Sequence, residues 1–599
     1  MTELRRNLLT GAAAGLIGGL VLAASLQVQG RNSMVAGLTG LTTSDLTVAA
    51  QLLIAALLGA GFGALLRYRP ESFAASASGG LLYGLLWWIA GPLTMAPLLR
   101  GRVPTWSLAD AAGAFPGLIA YLLYGGVLGI VFYILASAYA RWNPALPPPS
   151  VGAPAATHLL ILGGGFGGVA AAQRLEQLLA RDRTVRVTLV SQSNYLLFTP
   201  MLAEVAASGL EPQHISAPVR AALTRTQFRR AEIDAIDVTA QTVSVRPTPT
   251  SPAEMLRYDH LILALGSVPH YYGLPGLETH TFALKSLDDA TRLRNHVIGL
   301  LEQADVEISP VERARQLTFV VAGGGFAGTE MIAELHDLVH SVRRFYPRVQ
   351  PADLRFVLVH SGARILPELS ASLAEYAQRK LEARGIEFLL NTRVAGARAD
   401  AVALVGGREI PTHTIVWTAG NQPHPLLRTL PCERNPAGAV RAASSLEVTG
   451  LRNVWAVGDC AQIPDVYSKG KSCPPTAQHA IRQGAVAAEN VVAALHGRRP
   501  KPFRFRTIAV LVALGHRTAV AEVRGWKFSG LLAWFMWRTL YLSKLPGLEK
   551  KVRVALDWML DFIFTRDIAL TTTAPTSALS QVKDIAHAHS SALGERLAQ

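Results

Sequence analysis

The chain has 599 residues, half of them hydrophobic, and a formal net charge of +15. That length allows several domains, each with its own core. The hydrophobic share points to membrane association, and the positive charge comes with no nucleic-acid-binding motif, so anionic lipid is its expected partner. Cys432, Cys460 and Cys473 form no CxxC and are too few for a disulfide framework, which fits a reducing compartment.

Four apolar stretches open the chain: Leu8 to Leu26, Leu46 to Leu66, Gly79 to Leu99 and Phe115 to Ala138. Each reaches the roughly 20 residues needed to cross about 30 Å of hydrocarbon, so residues 1–143 read as a four-helix transmembrane domain. Arg5 and Arg6 before the first stretch also fit a twin-arginine signal, but three more spans follow. With both ends inside, Arg5, Arg6, Arg67, Arg69 and Arg141 are cytoplasmic, while Arg31, Arg100 and Arg102 are outside. Small residues recur at four-residue spacing, as in Gly11/Gly15, Gly59/Gly63, Gly80/Gly84 and Gly125/Gly129, which lets helix backbones approach closely. These spans carry no histidine and no charged residue, so neither a bis-histidine haem nor an acidic proton relay can be built there. A proline-rich linker, 144–156, follows.

Leu159 to Leu162 form a buried strand that runs into Gly163-Gly164-Gly165-Phe166-Gly167-Gly168. Gly163 allows the tight turn, Gly165 lets backbone N–H groups approach a pyrophosphate, and Gly168 lets the following helix pack closely. A second copy, Leu317 to Val321 followed by Gly323-Gly324-Gly325-Phe326-Ala327-Gly328, implies a second dinucleotide. After the first loop, strand Val185 to Val190 ends at Ser191, a hydroxyl where an acid is expected to hold the adenosine ribose. The loop Asn194 to Met201 is apolar enough to be core. Strand Tyr258 to Leu265 runs into a turn at Gly266, and Thr414 to Ala419 repeats that pattern at Gly420. In the second half, strand Phe356 to Val359 ends at His360, which does not discriminate NADH from NADPH, and Arg364 nearby leaves NADPH open. Asn453 to Asp459 is a strand ending in a carboxylate placed to accept hydrogen bonds from a polyol.

These motifs carry a resemblance. From Thr157 to about Asp567 the chain resembles a type II NADH:quinone dehydrogenase of the two-dinucleotide-binding flavoprotein superfamily, through Gly163 to Gly168, Tyr195 to Met201, Gly323 to Glu330, Trp417 to Gly420, Gly458-Asp459 and Pro474 to Ala480. The resemblance implies FAD on the first loop with Asp459 on its ribityl chain, NADH on the second loop, Glu330 near nicotinamide and flavin, and no metal. The family's quinone motif maps onto Ala477 to Gln483, with Gln478 and Gln483 able to donate to a quinone oxygen and Arg482 replacing a glutamine. Disulfide reductases of this superfamily need paired cysteines after the first loop, and Val169 to Ala264 has none. Cys432 and Cys473 keep a sulfide:quinone reductase as an alternative, and a membrane-anchored flavin redox sensor is another.

Beyond Phe503, Leu531 to Leu542 and Val552 to Phe564 are too short to span. On the second, Val552, Leu556, Met559, Leu560 and Ile563 fall on one side, and Arg553, Asp557 and Asp561 on the other, an amphipathic pattern. Trp534, Trp537, Trp558, Lys544, Lys550 and Lys551 suit a headgroup zone. The expected fold is α/β, with two Rossmann-like domains preceded by an all-α transmembrane domain and followed by amphipathic membrane-contact helices. Its boundaries are 157–285 and 411–505 for FAD, 286–410 for NAD(P)H, 506–570 for membrane contact and 571–599 for a tail. The expected partners are a membrane quinone and the lipid bilayer, a homodimer is compatible, and the catalytic part is placed on the cytoplasmic side of the cell membrane.

Overall fold

The computed structural model describes residues 3–28, 44–65, 73–99, 101, 108–142, 157–468 and 470–570. The linker expected at 144–156, the tail expected at 571–599, and Arg31, Arg67, Arg69, Arg100 and Arg102 lie outside them, as does the side chain of Arg141. The described residues fall into two compact units: one reaches Trp142 and includes Pro546–Val552, and the other runs from Thr157 to Leu545 and resumes at Arg553.

In the first unit the expected spans become helices α1 (Glu3–Val28), α2 (Ser44–Leu65), α3 (Phe73–Trp88) and α4 (Leu108–Trp142). Three stretches, Arg5–Ser25, Val48–Leu65 and Gly117–Tyr139, are long and apolar enough to cross a membrane. The expected span Gly79 to Leu99 is not one continuous α-helix. After Trp88 the backbone turns π-helical over Ile89–Met95, with Pro92 inside, before a last α turn at Ala96–Leu99. Proline has no N–H for an α-helical bond, and the wider turn accommodates it. The Ala96 N–H reaches back to the Gly91 carbonyl, and the Thr94 hydroxyl donates to that of Ile89 at 2.9 Å.

The small residues explain the packing. A Cβ on Gly11 would strike the Gly59 carbonyl and one on Gly63 that of Asn7, so α1 and α2 run antiparallel with backbones touching. Gly80 and Gly84 meet Gly125 and Tyr121 in the same way between α3 and α4. Ser76 donates to the Gly129 carbonyl at 2.7 Å and Tyr124 to that of Ala55 at 3.0 Å, which satisfies their buried hydroxyls.

The second unit is α/β. Its parallel strands, in chain order, are β1 (Thr157–Leu162), β2 (Val185–Ser191), β3 (Gln227–Arg230), β4 (His260–Leu263), β5 (Thr318–Ala322), β6 (Arg355–Val359), β7 (Ile386–Leu389), β8 (Thr414–Trp417) and β9 (Val454–Ala456). They form a five-stranded sheet, β9–β4–β1–β2–β3, and a four-stranded sheet, β7–β6–β5–β8. Leu159 to Leu162 and Thr318 to Ala322 are buried throughout, as expected of parallel strands covered on both faces. Strand β8 pairs Trp417 with Ala322, so the second sheet reaches past the boundary expected at 410, and the chain rejoins the first sheet only at β9. The apolar loop at 194–201 is core, with Phe198 and Met201 buried.

The C-terminal region holds a feature absent from the expectation. Strands β10 (Ala509–Ala513), β11 (Ala519–Val523) and β12 (Trp526–Gly530) form an antiparallel sheet, followed by helices Leu531–Lys544 and Leu548–Ile563. The amphipathic reading of the last helix holds in an outward sense: Leu556, Met559, Leu560 and Ile563 are about half exposed or more, while Val554 and Trp558 are buried. The tryptophan expectation fails. Trp534, Trp537 and Trp558 are all buried in the hydrophobic core, and the Arg538 guanidinium lies over the rings of Trp534 (4.1 Å) and Trp558 (4.5 Å).

A side chain at Gly59 has nowhere to go between α1 and α2. Gly59→Leu should force these helices apart at about 1–3 kcal/mol, as overpacking does. Amide hydrogen exchange should accelerate in α1 and α2 while the protection of β1 is unchanged. Equal loss of protection in β1 would contradict the division into two units.

Candidate active site

Two strand–glycine–helix turns define the site. Gly163 has φ +110° and Gly323 φ +120°, a left-handed backbone that favours glycine. Cβ atoms on Gly168 and Gly328 would fall onto the carbonyl oxygens of Gly163 and Gly323, so each helix, α5 (Phe166–Leu178) and α6 (Phe326–Val342), sits on its own turn. Gly165 and Gly325 differ. A Cβ on Gly165 would meet nothing within 4 Å, and one on Gly325 only Glu368 Oε1 at 3.9 Å. This open space lies before a helix N-terminus, where N–H groups hold a pyrophosphate, so both loops fit a dinucleotide.

Ser191 and His360 occupy equivalent places at the ends of β2 and β6. A Cβ on Gly164 would lie 2.7 Å from Ser191 Oγ, and one on Gly324 would lie 2.7 Å from His360 Cγ. His360 Nδ1 accepts the Gly324 N–H at 3.1 Å. Burial pushes its pKa down against the opposing charge of Glu368, so the ring stays neutral near pH 7. Arg364 donates to the Pro367 and Leu369 carbonyls at 3.0 and 3.2 Å. His360 therefore offers no positive charge to a 2′-phosphate, whereas the Arg364 guanidinium keeps its charge while it donates to these carbonyls.

The turns at Gly266 and Gly420 are tied together, since Ser267–Pro269 and Asn421–Pro423 pair antiparallel. Gly266 has φ +68°, and a Cβ on Gly420 would strike the His270 carbonyl and the Tyr272 ring. Asp459 follows β9 and accepts the Ser267 hydroxyl at 2.9 Å, while Lys285 Nζ donates to the same hydroxyl at 3.1 Å. Burial pushes the Lys285 pKa down and Asp459 pulls it back up. Sequence reasoning missed Ser267 and Lys285; the only signal was a serine directly after the Gly266 turn.

Helix α7 (Ala477–Leu495) carries the candidate quinone residues, and their roles separate. Gln478 donates to the Ala509 carbonyl at 2.9 Å. Gln483 is buried and its carbonyl accepts the Gly458 N–H at 2.8 Å, so it fixes the turn that presents Asp459. Five residues apart, the two amides point about 140° from each other around the helix. The Gly458 contact uses only the carbonyl of the Gln483 amide, not the nitrogen expected to donate to a quinone. Arg482 donates to the Gln478 carbonyl at 2.9 Å and its guanidinium lies 4.0 Å over the Phe505 ring.

Glu330, two residues past Gly328, keeps some exposed surface but lies deep enough that burial pushes its pKa up to about 8. The Ala513 N–H, which donates to it at 3.1 Å, opposes that rise, and Glu204 and Glu334 add to it. The carboxyl is therefore poised to hold or release a proton near neutral pH. An aromatic series leads from the first loop to the C-terminal helices: Phe166 to Phe198 at 5.9 Å, then Phe198 to Tyr541 at 6.0 Å.

Comparison with known proteins agrees with this geometry. The family model for pyridine nucleotide-disulphide oxidoreductases matches residues 157–484, and that for the NDH2 C-terminal domain matches 510–567. A probable NADH dehydrogenase of Dictyostelium discoideum is 31% identical over 419 residues, 69% of this chain and 90% of that protein. A type II NADH:quinone oxidoreductase of Mycobacterium tuberculosis is 29% identical over 443 residues, 71% and 92% of the two chains. A demethylphylloquinone reductase of Synechocystis is 32% identical over 408 residues, 67% and 95%. The fold matches the structure of NDH2 from Plasmodium falciparum in complex with NADH, with a TM-score of 0.64 at 19% identity, covering 69% of this chain and 100% of that one.

Gly325 has extended backbone angles that any residue adopts, and its Cβ position is open. Gly325→Val should therefore change stability by less than about 0.5 kcal/mol while raising the Michaelis constant for NADH at least tenfold, a loss of about 1.4 kcal/mol or more. Calorimetry and steady-state kinetics check the two halves. An unchanged Michaelis constant would show that the pyrophosphate lies elsewhere.

Proposed function

The chain belongs to the pyridine nucleotide-disulphide oxidoreductases, among the type II NADH:quinone oxidoreductases, and from that premise we propose the residues that carry the reaction and their setting at a membrane. The enzyme uses FAD and NADH and passes electrons to a quinone. The observation that carries the assignment of roles is the pair of open glycine cradles on two parallel sheets of one unit.

Gly163, Gly165 and Gly168 hold the FAD pyrophosphate, Ser191 the adenosine ribose, and Asp459 the ribityl hydroxyls, with Ser267 and Lys285 orienting its carboxylate. Bound there, FAD supplies a centre that takes a hydride from NADH and gives two electrons to quinone. Gly323, Gly325 and Gly328 hold the NADH pyrophosphate, and the neutral His360 faces its ribose. Glu330 exchanges a proton beside the reacting rings. Gln478 faces the quinone, and the mixed-polarity wall of Gln478, Arg482 and Phe505 suits a headgroup with carbonyl oxygens on an apolar ring.

The exposed apolar faces support a membrane setting. Leu531, Leu532 and Phe535 on one C-terminal helix, and Leu556, Met559, Leu560 and Ile563 on the next, are open to solvent, a stripe that suits the headgroup boundary. The apolar N-terminal helices add a multi-pass anchor in the cell membrane, and the NADH-binding unit faces the cytoplasm. The sulfide:quinone alternative is not favoured. Burial pushes the thiols of Cys432 and Cys473 up, the latter to about 11, so neither is a ready nucleophile at neutral pH.

Gln478→Ala tests the quinone assignment. Quinone-dependent reoxidation of the flavin should slow severalfold or more, as loss of a hydrogen bond of about 1 kcal/mol implies, while NADH-dependent reduction is unchanged. Stopped-flow absorbance separates the two half-reactions. Slowing of the reductive half alone would move α7 to the nicotinamide site.

A further inference from the structure

Helix α7 places on the quinone wall a cation that no carboxylate offsets. Arg482 sits one helical turn after Gln478, and its Nη1 donates to the Gln478 carbonyl at 2.9 Å. Its guanidinium lies 4.0 Å over the Phe505 ring, which His479 meets edge-on at 4.9 Å. Arg482 is half-buried, and burial pushes its pKa down with no carboxylate to push it back. A guanidinium stays protonated under such a shift. Other arginines of this unit are partnered differently: Arg174 pairs with Glu489 of the same α7 at 2.6 Å, and Arg566 with Glu334 at 2.8 Å. His479 adds no second charge, because burial pushes its pKa down against Asp465 and Arg482 lowers it further.

Two contacts tie this wall to the reaction site. A Cβ on Gly484, two residues past Arg482, would strike the Gly167 carbonyl, so this part of α7 lies against the first glycine loop. Strand β10 makes the second tie. Gln478 donates to the Ala509 carbonyl at 2.9 Å, and at the other end of the strand the Ala513 N–H donates to Glu330 at 3.1 Å. Four residues of strand span about 13 Å, so the acceptor wall and the proton-exchanging carboxyl are held on one strand.

Reduction of a quinone takes two electrons, supplied from NADH by way of the flavin, and two protons, and it turns both C=O groups into C–OH. Electrons that arrive ahead of a proton leave negative charge on a carbonyl oxygen. A fixed cation beside that oxygen stabilises the charge, whereas a neutral amide offers only a dipole. The difference governs the rate where electron acceptance is the hard step. That holds for electron-rich quinones, whose methyl groups or fused benzene ring lower the reduction potential. A strongly oxidising quinone accepts electrons readily and leaves another step limiting. We propose that Arg482 sets the acceptor class, extending it to electron-rich, low-potential quinones such as naphthoquinones. The inference rests on the quinone oxidoreductase reading above and adds to it the substrate class. An arginine that only braces the chain at Phe505 is the competing explanation.

Arg482→Gln in the full-length, FAD-loaded enzyme separates the two, since it puts the neutral amide of the quinone motif in place of the charge. Stopped flow follows reoxidation of the NADH-reduced flavin by p-benzoquinone, duroquinone and menadione, acceptors of falling reduction potential. The ratio of the menadione to the p-benzoquinone rate constant should fall about tenfold, a differential of about 1.4 kcal/mol, with duroquinone in between. Arg482→Lys keeps the charge without the planar stacking group and should recover most of the ratio. An unchanged ratio in Arg482→Gln, or a uniform fall with all three acceptors, overturns the proposal. So does a ratio that falls as far in Arg482→Lys as in Arg482→Gln, which is the result expected of a brace at Phe505. If Arg482→Gln does not retain flavin, Arg482→Met, which keeps an apolar stem over Phe505, is judged by the same ratio. Wild-type flavin that none of the three acceptors reoxidises overturns the functional reading first, and the acceptor class with it.

Discussion

The second unit depends on a backbone contact made twice, a helix resting on the carbonyl of the turn that starts it. At Gly168 on Gly163, and at Gly328 on Gly323, there is no room for a methyl group. Because the helix is pinned at its first turn, its N–H groups, the hydroxyl or ring at the neighbouring strand end, and the next side chains along the helix all take fixed places. Glu330 is two residues from such a contact. A third close approach extends the scheme: a Cβ on Gly484 would strike the Gly167 carbonyl, so α7 lies against α5. That places Gln483 under Gly458 and so sets Asp459. One steric constraint thus orders the two glycine cradles and Asp459 together.

Charge is arranged against this rigid frame by the C-terminal cover. Removing a carboxylate from water costs several kcal/mol unless partners compensate, and Glu204 and Glu334 have Arg538 and Arg566 as their charged partners. Their carboxyls remain above the usual range, which keeps proton exchange within reach of neutral pH. Arg538 in turn lies over Trp534 and Trp558, and this burial turns those tryptophans inward. The outer faces of the same helices are left to aliphatic side chains and Phe535. Each helix therefore serves the buried charge on one side and an apolar surface on the other.

Much of this was legible in the residues, and the failures have physical causes. The glycine loops were readable because φ and close approach restrict the residue type, and Asp459 because it ends a short buried strand. Gly79 to Leu99 read as a plain span because composition does not reveal how the helix handles Pro92. The strand Ala509–Ala513 was hidden in a run whose apolar residues do not alternate, and its partners come from Ala519–Val523. The contact of Gln483 with Gly458 was not legible because a motif names residues but not their helical faces, and 140° or so separates it from Gln478. The tryptophans were misplaced because indole suits both an interface and a cation. Lys285 and Ser267 were invisible, since they meet Asp459 only through tertiary contact. The carboxylate at 330 was visible only as part of the motif, and its burial emerged once the helix face was seen to be covered.

The account's central claim is that one flavin, held by the first cradle, is reached by NADH from the second cradle and by quinone from the membrane side. Single-turnover absorbance of the native enzyme tests it directly, with NADH carrying deuterium on the transferred position and quinone supplied in a second mixing step. The account predicts bleaching of the flavin in a phase slowed by the deuterium, followed by full recovery with quinone in a phase that the label does not affect. Recovery that fails with quinone, or bleaching that is insensitive to the label and too slow for turnover, would contradict it.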